Sequence, residues 1–477
     1  MLGKKLGLFL GPILFIIILL SPVPNALTPE AWKVIALAVL MLVWWVTEAV
    51  PLAVTSLLPI ICLPLLGVLG RKAAAAPYAN PVVFLFMGGF MIALAMERWN
   101  LHRRIALNIV RITGTNANGI ILGFMLATAA LSMWISNTAT TVMMLPIALS
   151  VIDLLKSSNE NLPKKGVRHF ALALMLGIAY SANIGGTATI IGTPPNVVFS
   201  GFIRETYDLE VSFATWMAFG VPFAILLIGL TYLFIVKWLY PNQLGDFEGA
   251  QELIEKEVHA LGKISNAEKK VLIVFVSTAL LWMFRSRIVK LIPALPLNDE
   301  GIALVATVAL FVIPLDFKNG RFLMEWKDTA KLPWGILLLF GGGLSLANAL
   351  AETGLIDLIG AQFKGLDNVG LLVMLGLTAV SLFLTEIMSN VALVTIFLPV
   401  VGAIAVGMGM DPLLICIPVT LAASCAFMLP MSTPPNAIVF ASGHLKVAEM
   451  VRAGIVLNII SILFIAILAH YILGLLI

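Results

Sequence analysis

One polar pattern occurs twice inside otherwise apolar sequence. Ser136-Asn137-Thr138 is followed by Gly192-Thr193-Pro194-Pro195-Asn196. Ser389-Asn390-Val391 is followed by Ser432-Thr433-Pro434-Pro435-Asn436. Hydrocarbon cannot satisfy backbone groups freed by a helix break, so irregular backbone at membrane depth must be packed in protein or line water. Two such interruptions at corresponding places in two halves point to the binding site of a transporter. A lone Ser-Asn-Thr would read as small polar residues packing helices. The paired occurrence, each copy with its own downstream Thr-Pro-Pro-Asn, favours a site.

Composition agrees with a membrane setting. The 477 residues are 60% hydrophobic and only 11% charged, with mean hydropathy +1.05. A soluble protein carries about 25% charged residues. The net charge of +4 is spread over short connectors, which argues against a nucleic-acid partner, since phosphate binding needs a concentrated basic face. Cys62, Cys416 and Cys425 lie in apolar runs without metal-like spacing and read as small core residues. The histidines are dispersed, and HExxH, Walker A and GxSxG patterns are absent from the sequence. An enzyme would need a converging nucleophile, metal set or acid–base pair, and the chain is therefore expected not to be one. The apolar run Leu6–Leu20 after Lys4 and Lys5 resembles a signal peptide, but in so apolar a chain it reads as a retained first helix.

A spanning helix needs about 20 mostly apolar residues. Such segments fall near 6–20, 30–49, 51–69, 82–97, 168–190, 214–237, 268–285, 299–316, 333–350, 411–431 and 447–475. Two further apolar stretches, 118–154 and 369–408, have Ser-Asn near their middles and read as re-entrant hairpins. The expected fold is an all-α polytopic membrane protein, with about 11 transmembrane helices and two hairpins in an inverted repeat. Residues 1–29 form a first helix with a cytoplasmic N-terminus, and 241–267 a cytoplasmic connector. Residues 30–240 form the first repeat, with the hairpin 118–154 and a broken helix over 168–201. Residues 268–477 form the second, with the hairpin 369–408 and a broken helix over 411–441. The repeats differ in length at the connector Ser157–Gly166, where length can vary.

Lys and Arg in short loops favour the cytoplasm. Threading from Lys4 places Arg98, Arg103, Arg104, Lys164, Lys165 and Lys331 inside, and the acidic stretch with Glu352, Asp357 and Asp367 outside. Arg71, Lys72, Arg285, Arg287 and Lys290 are exceptions on the outer side. The segments 97–111 and 352–364 look amphipathic and interfacial. Gly88-Gly89 and Gly341-Gly342-Gly343 read as packing glycines, and Trp32, Trp44 and Trp45 as interfacial anchors. Glu48, beside Pro51, reads as structural. Glu386, an ionisable residue next to the second Ser-Asn, is a functional candidate.

Hydroxyls, carboxamides and freed carbonyls suit a hard cation, whereas helix N-termini and freed N–H groups suit an anion. Neither motif holds Arg or Lys. An anionic substrate would rely on dipoles, hydroxyls and co-bound cations, so cation coupling follows on physical grounds.

These residues resemble the divalent-anion:sodium symporter family, which carries dicarboxylates, citrate and sulfate. The resemblance covers nearly the whole chain. It rests on Trp45-Val46-Thr47-Glu48-Ala49-Val50-Pro51, on Asn183-Ile184-Gly185-Gly186-Thr187-Ala188-Thr189, and on both Ser-Asn and both Thr-Pro-Pro-Asn motifs. It implies a homodimer in the cell membrane, with a scaffold domain and a mobile transport domain working as an elevator. It implies a first sodium site of Ser132, Ser136, Asn137 and Gly192, and a second of Thr385, Ser389, Asn390 and Ser432. It places the substrate's carboxylates against Asn137, Thr138, Asn390, Thr433 and Pro434. Val391 stands where the family often has Thr, and valine cannot hydrogen-bond a carboxylate. The expected activity is inward symport of a C4-type dicarboxylate with sodium (Na+). A sodium-independent exchanger of the same fold, or a carrier of citrate or sulfate, is the alternative. A channel would differ from all of these in passing ions without saturating.

Overall fold

The structure, a computed structural model, describes residues 2–473 apart from 115, 159–162, 246–247 and 366–369. The connector residue Asn159, Asp367, residue 369 at the base of the second hairpin and the end of the last expected span lie outside the described residues. The chain opens with α1 (Leu2–Leu20), α2 (Pro29–Thr47), α3 (Leu52–Thr55), α4 (Leu58–Leu65), α5 (Arg71–Ala75) and α6 (Pro81–Arg98). Next come α7 (Leu101–Ile112), α8 (Ala117–Ser132), α9 (Asn137–Ser158), α10 (Lys164–Gly186), α11 (Pro194–Tyr207) and α12 (Phe213–Leu233). The connector holds α13 (Glu248–Ala260), followed by α14 (Asn266–Leu291) and α15 (Asp299–Val312). A two-stranded ribbon, β1 (Pro314–Asp316) and β2 (Arg321–Phe322), precedes α16 (Trp334–Glu352) and α17 (Leu355–Ala361). The last elements are α18 (Gly370–Thr385), α19 (Asn390–Gly407), α20 (Pro412–Ser424), α21 (Pro434–Ala441) and α22 (Val447–Leu468).

Among the described residues ten helices are long and apolar enough to cross a membrane, with shorter apolar helices at 52–65, 117–132, 370–385 and 412–424. The chain is a multi-pass membrane protein. The ten include α9 and α19, the second arms of the two hairpins. The span expected over 51–69 is instead broken into α3 and α4. Pro51 precedes α3, Pro59 sits in the first turn of α4, and Pro64 ends it, each removing a backbone donor.

Both hairpins form as expected, and they enter from opposite faces. At the first base, the Asn242 carboxamide donates to Asn118 Oδ1 at 2.8 Å, joining the hairpin to the connector. At the second base, the α19 glycine Gly402 packs on Tyr207, at the far end of α11. The tips meet on one cavity. Lys4 lies 3.2 Å from Glu48, just past the C-terminus of α2, so α1 and α2 run antiparallel. Glu48, which meets Lys4, borders the same cavity, as do Glu97 and Lys331.

Ion pairs finish both faces. The interfacial helix α7 buries Leu101, His102, Leu107 and Val110. Its Arg103 reaches Glu257 of α13 at 2.5 Å, and its Arg104 reaches Glu268 of α14 at 2.7 Å. Arg98 pairs with Asp328 and Glu325. The outer-side exception Arg285 is explained by its partners, Glu210 at 2.9 Å and Asp299 at 3.3 Å.

The glycine runs at 88–89 and 341–343 are packing residues. A Cβ on Gly88 would lie 2.6 Å from Ala303 Cβ, and one on Gly342 would lie 2.2 Å from the Ser56 carbonyl oxygen. Trp32 donates to the Ser21 hydroxyl near the end of α1 at 3.3 Å. Trp45 is not an anchor: it is fully buried, with its indole N–H on the Leu52 carbonyl at 3.3 Å, because α3 folds back over it. The cysteines are unpaired, with Cys416 and Cys425 buried and Cys62 half-buried.

Gly342→Ala should lower the thermal unfolding midpoint of detergent-purified protein, since overpacking costs about 1–3 kcal/mol. Gly376→Ala, which meets nothing within 4 Å, should leave it unchanged, and equal effects would remove the packing role. In a Cys62→Ala background, Lys263→Cys and Gln362→Cys should react with an impermeant thiol reagent from opposite sides of sealed vesicles. Labelling of both from one side would contradict the inverted arrangement.

Candidate functional site

Each hairpin ends in a short non-helical tip, 133–136 in the first and 386–389 in the second. At the first, the Ser132 hydroxyl lies 2.6 Å from Asn137 Oδ1 and 2.7 Å from the Ala182 carbonyl of α10. At the second, the Thr385 hydroxyl lies 2.7 Å from Asn390 Oδ1 and 2.7 Å from the Ala423 carbonyl of α20. A hydroxyl has one proton and can donate to one acceptor at a time. In each triad, with the carboxamide oxygen turned toward the hydroxyl, one close oxygen–oxygen contact has no proton between its partners. A small hard cation among the three oxygens would relieve that repulsion, and the donor type, neutral oxygen throughout, suits a monovalent ion.

The broken helices complete the site. α10 stops at Gly186 and α11 begins at Pro194; α20 stops at Ser424 and α21 begins at Pro434. Proline fits the first helical position because its missing N–H would be unpaired there anyway. It follows that these N-termini contribute a dipole but few donors: the first two residues of α11 and of α21 are prolines. The third N–H is used internally, Asn196 on the Thr193 carbonyl at 3.2 Å and Asn436 on the Thr433 hydroxyl at 3.3 Å. The expectation of freed N–H groups at these ends therefore narrows to a dipolar role. The N-termini of α9 and α19 begin at the tips themselves and add two more positive helix ends.

All four helix ends border one cavity of about 1040 Å³. Of the expected residues, Ser136, Asn137, Thr138, Gly192, Ser389, Asn390, Val391, Ser432, Thr433 and Pro434 line it. Ser132 and Thr385 stand directly behind Asn137 and Asn390 and are fully buried. Thr138 is exposed to the cavity, while Val391 is half-buried in its wall. The charged residues on the wall are Glu48, Glu97 and Lys331 at the mouth, on the Lys4 face. Gly192 cannot be larger: a Cβ there would lie 2.4 Å from the Gly186 carbonyl oxygen. Among the described residues no three His, Cys, Asp or Glu side chains cluster as metal ligands.

Neighbouring hydroxyls differ in polarity. Ser432 donates its proton to the Leu429 carbonyl at 2.7 Å and so offers a lone pair. Thr433 accepts from two N–H groups and so offers its proton. A cation fits the first and a carboxylate the second.

The sequence model of the sodium:sulfate symporter transmembrane region matches residues 4–476. The chain belongs to this family. It is 41% identical over 476 residues to the sodium-dependent dicarboxylate transporter SdcS of Staphylococcus saprophyticus, covering 98% of this chain and 91% of that protein. The Staphylococcus aureus SdcS is 40% identical over 474 residues, with the same coverage. The fold resembles the Alcanivorax borkumensis YdaH transporter, with TM-score 0.60 at 14% identity, over 94% of this chain and 98% of that one. It also resembles Neisseria gonorrhoeae MtrF, with TM-score 0.55 at 16% identity, over 96% and 97% of the two chains. This is a family of transporters, not of enzymes.

In this family member Glu386 is structural, contrary to the expectation from its position. It is buried and does not line the cavity. Its carboxylate accepts from the backbone N–H groups of Phe427 at 2.8 Å, Met428 at 2.9 Å and Leu429 at 3.1 Å, and from the Asn458 carboxamide at 2.8 Å. It fills the nest of N–H groups left where α20 unwinds. Asn196 and Asn436, which have no assigned role from the sequence, stitch the two loops. Asn196 Nδ2 donates to the Thr189 carbonyl at 2.8 Å, and Asn436 Nδ2 to the Leu429 carbonyl at 3.1 Å and the Ser432 hydroxyl at 3.0 Å. The signal was present: the asparagine recurs at the same place in both copies.

Glu386→Ala should leave three backbone donors without their carboxylate, and each buried unsatisfied group costs about 1–3 kcal/mol. The expected result is a large loss of thermal stability, with Glu386→Gln between Ala and the parent because one acceptor oxygen remains. A stable Ala variant would show that water replaces the carboxylate at no cost.

Proposed function

We propose that the chain is a secondary active transporter that carries a C4-type dicarboxylate, such as succinate, malate or fumarate, together with sodium. The observation that carries this is the pair of oxygen triads beside a cavity whose tips hold no basic side chain. A dianion at the tips meets helix dipoles, carboxamides and hydroxyls, but no Lys or Arg. Each helix end is worth only about 0.3–1 kcal/mol at an exposed site, and up to about 2 kcal/mol when partly buried. Sodium at Ser132, Ser136, Asn137 and Gly192, and at Thr385, Ser389, Asn390 and Ser432, supplies the missing positive charge. The relatives named sodium-dependent dicarboxylate transporters support the same choice of ion and substrate.

The substrate's carboxylates sit against Asn137, Thr138, Asn390, Thr433 and Pro434. The cavity opens at the face bearing Lys4, which the positive-inside rule assigns to the cytoplasm. In that orientation the protein is inward-open. Hairpins, broken helices, α12 and α22 form the transport domain, and α1–α6 with α14–α16 form the scaffold. The first moves as an elevator against the second, and the protein works as a homodimer in the cell membrane.

Uptake of labelled succinate into proteoliposomes should rise with a sodium gradient, and Asn137→Ala or Asn390→Ala should nearly abolish it. Uptake unchanged when choline replaces sodium would establish an exchanger instead. Val391→Thr should tighten dicarboxylate binding roughly ten- to a hundredfold, since a hydrogen bond to a charged group is worth about 1.5–3 kcal/mol. Competition by citrate and sulfate in the same assay tests the alternative substrates. If the ranking and affinities are unchanged, residue 391 does not contact the anion.

A further inference from the structure

The Thr433 hydroxyl has an unusual surrounding. Its oxygen lies 3.1 Å from Asn183 Nδ2 and 3.3 Å from the backbone N of Asn436. Both neighbours are donors, and neither can accept the hydroxyl proton.

The orientation of Asn183 is fixed by its other partners. Its Nδ2 also lies 3.3 Å from the Ala426 carbonyl oxygen and 3.4 Å from Asn436 Oδ1. The Asn436 carboxamide is itself fixed, because its Nδ2 faces Ala426 O at 3.1 Å, Leu429 O at 3.1 Å and Ser432 Oγ at 3.0 Å. Turning Asn183 over would set its oxygen against two other oxygens. Asn183 is buried at 1% exposure and Thr433 at 4%, and both border the cavity. With its lone pairs engaged by N–H groups, the Thr433 hydroxyl has the cavity left for its proton. The first repeat lacks this device: Thr193 makes no side-chain cap bond at the start of α11.

We propose that Asn183 is a positioning residue that sets substrate specificity. It holds Thr433 as an obligate donor, so that corner of the cavity selects an oxyanion over a neutral or cationic group. Asn183 lies in the last turn of α10 in the first repeat, and Thr433 caps the start of α21 in the second. The same contact therefore couples the two halves of the site. This rests on the proposal that the cavity takes an anionic substrate.

The test uses the purified full chain in proteoliposomes and in detergent. Asn183→Leu keeps the side chain's bulk and removes its donor. It should raise the KM for succinate tenfold or more while kcat changes by less than about threefold. Thr433→Val should raise KM similarly, and Asn183→Leu combined with Thr433→Val should be no worse than Thr433→Val alone. In a Thr433→Ser background, which keeps the hydroxyl, the effect of Asn183→Leu should persist. Sodium-induced thermal stabilisation in detergent reports whether each variant is folded, since neither triad contains Asn183.

An unchanged KM in Asn183→Leu, or an effect that adds in full to Thr433→Val, would overturn the proposal. So would an Asn183→Leu variant that no longer folds while Asn183→Ala, which has no side-chain donor, folds and keeps the parental KM. The substrate choice is judged separately on the parent protein, with succinate, citrate and sulfate as probes. If citrate or sulfate binds and succinate does not, the dicarboxylate assignment fails, and Asn183 is judged with the anion that binds. If none of the three binds, both proposals fail.

Discussion

The contact on which the site depends is the bridge from each hairpin tip to the neighbouring half-helix: a hydroxyl placed between a carboxamide oxygen and a main-chain carbonyl. Ser132, Asn137 and Ala182 make it in the first repeat; Thr385, Asn390 and Ala423 make it in the second. It solves two problems at once. Carbonyls exposed by helix ends deep in the membrane gain partners, as they must where water is scarce. With both carboxamide oxygens turned toward the hydroxyls, the same oxygens also crowd together with too few protons, an arrangement that suits a cation. Gly185 and Gly186 permit the approach, because a Cβ on Gly185 would lie 2.5 Å from the Ala129 carbonyl oxygen, and one on Gly186 2.7 Å from Asn137 Oδ1.

Around these matching bridges the two halves diverge in chemistry. The second loop is held by the buried carboxylate of Glu386, where Met133 occupies the matching place in the first tip. The first loop is held by neutral groups: Trp216 donates to the Thr187 carbonyl at 2.9 Å, and Thr189 to the Met133 carbonyl at 2.6 Å. Thr138 faces Val391 across the pseudo-symmetry, and the capped Thr433 answers the uncapped Thr193. A duplicated backbone thus presents unlike surfaces to the two sides of one cavity. Inverted symmetry fixes where the groups converge, and single substitutions decide what chemistry each side offers.

Charge placement follows from the cost of burying it. Apart from the buried carboxylate of Glu386, charged pairs sit at the two faces, where Arg204 meets Glu300 at 2.5 Å on one side and Arg104 meets Glu268 at 2.7 Å on the other. The tips present only neutral groups to the cavity. A permanent Lys or Arg there would bind an anion without help, and the anion would then gain little from a co-bound cation. His102 takes no part in this balance. Burial pushes its pKa below the ordinary imidazole value, and its Nδ1 lies 3.1 Å from the Met96 carbonyl.

The sequence by itself determined the membrane setting, the two hairpins, the two helix breaks and most of the cavity-lining set. Those features are local: apolar length, proline at a helix start and repeated Ser-Asn need no distant partner to be recognised. Tertiary structure alone decided which polar atoms face the cavity. Glu386 lies next in sequence to Thr385 yet points into a nest of N–H groups, and Trp45 turns inward beneath α3. Asn183 meets Thr433 only because α10 of one repeat ends beside α21 of the other. Hydrogen-bond polarity at a hydroxyl depends on neighbours brought from far along the chain, and no local pattern encodes which of them donates.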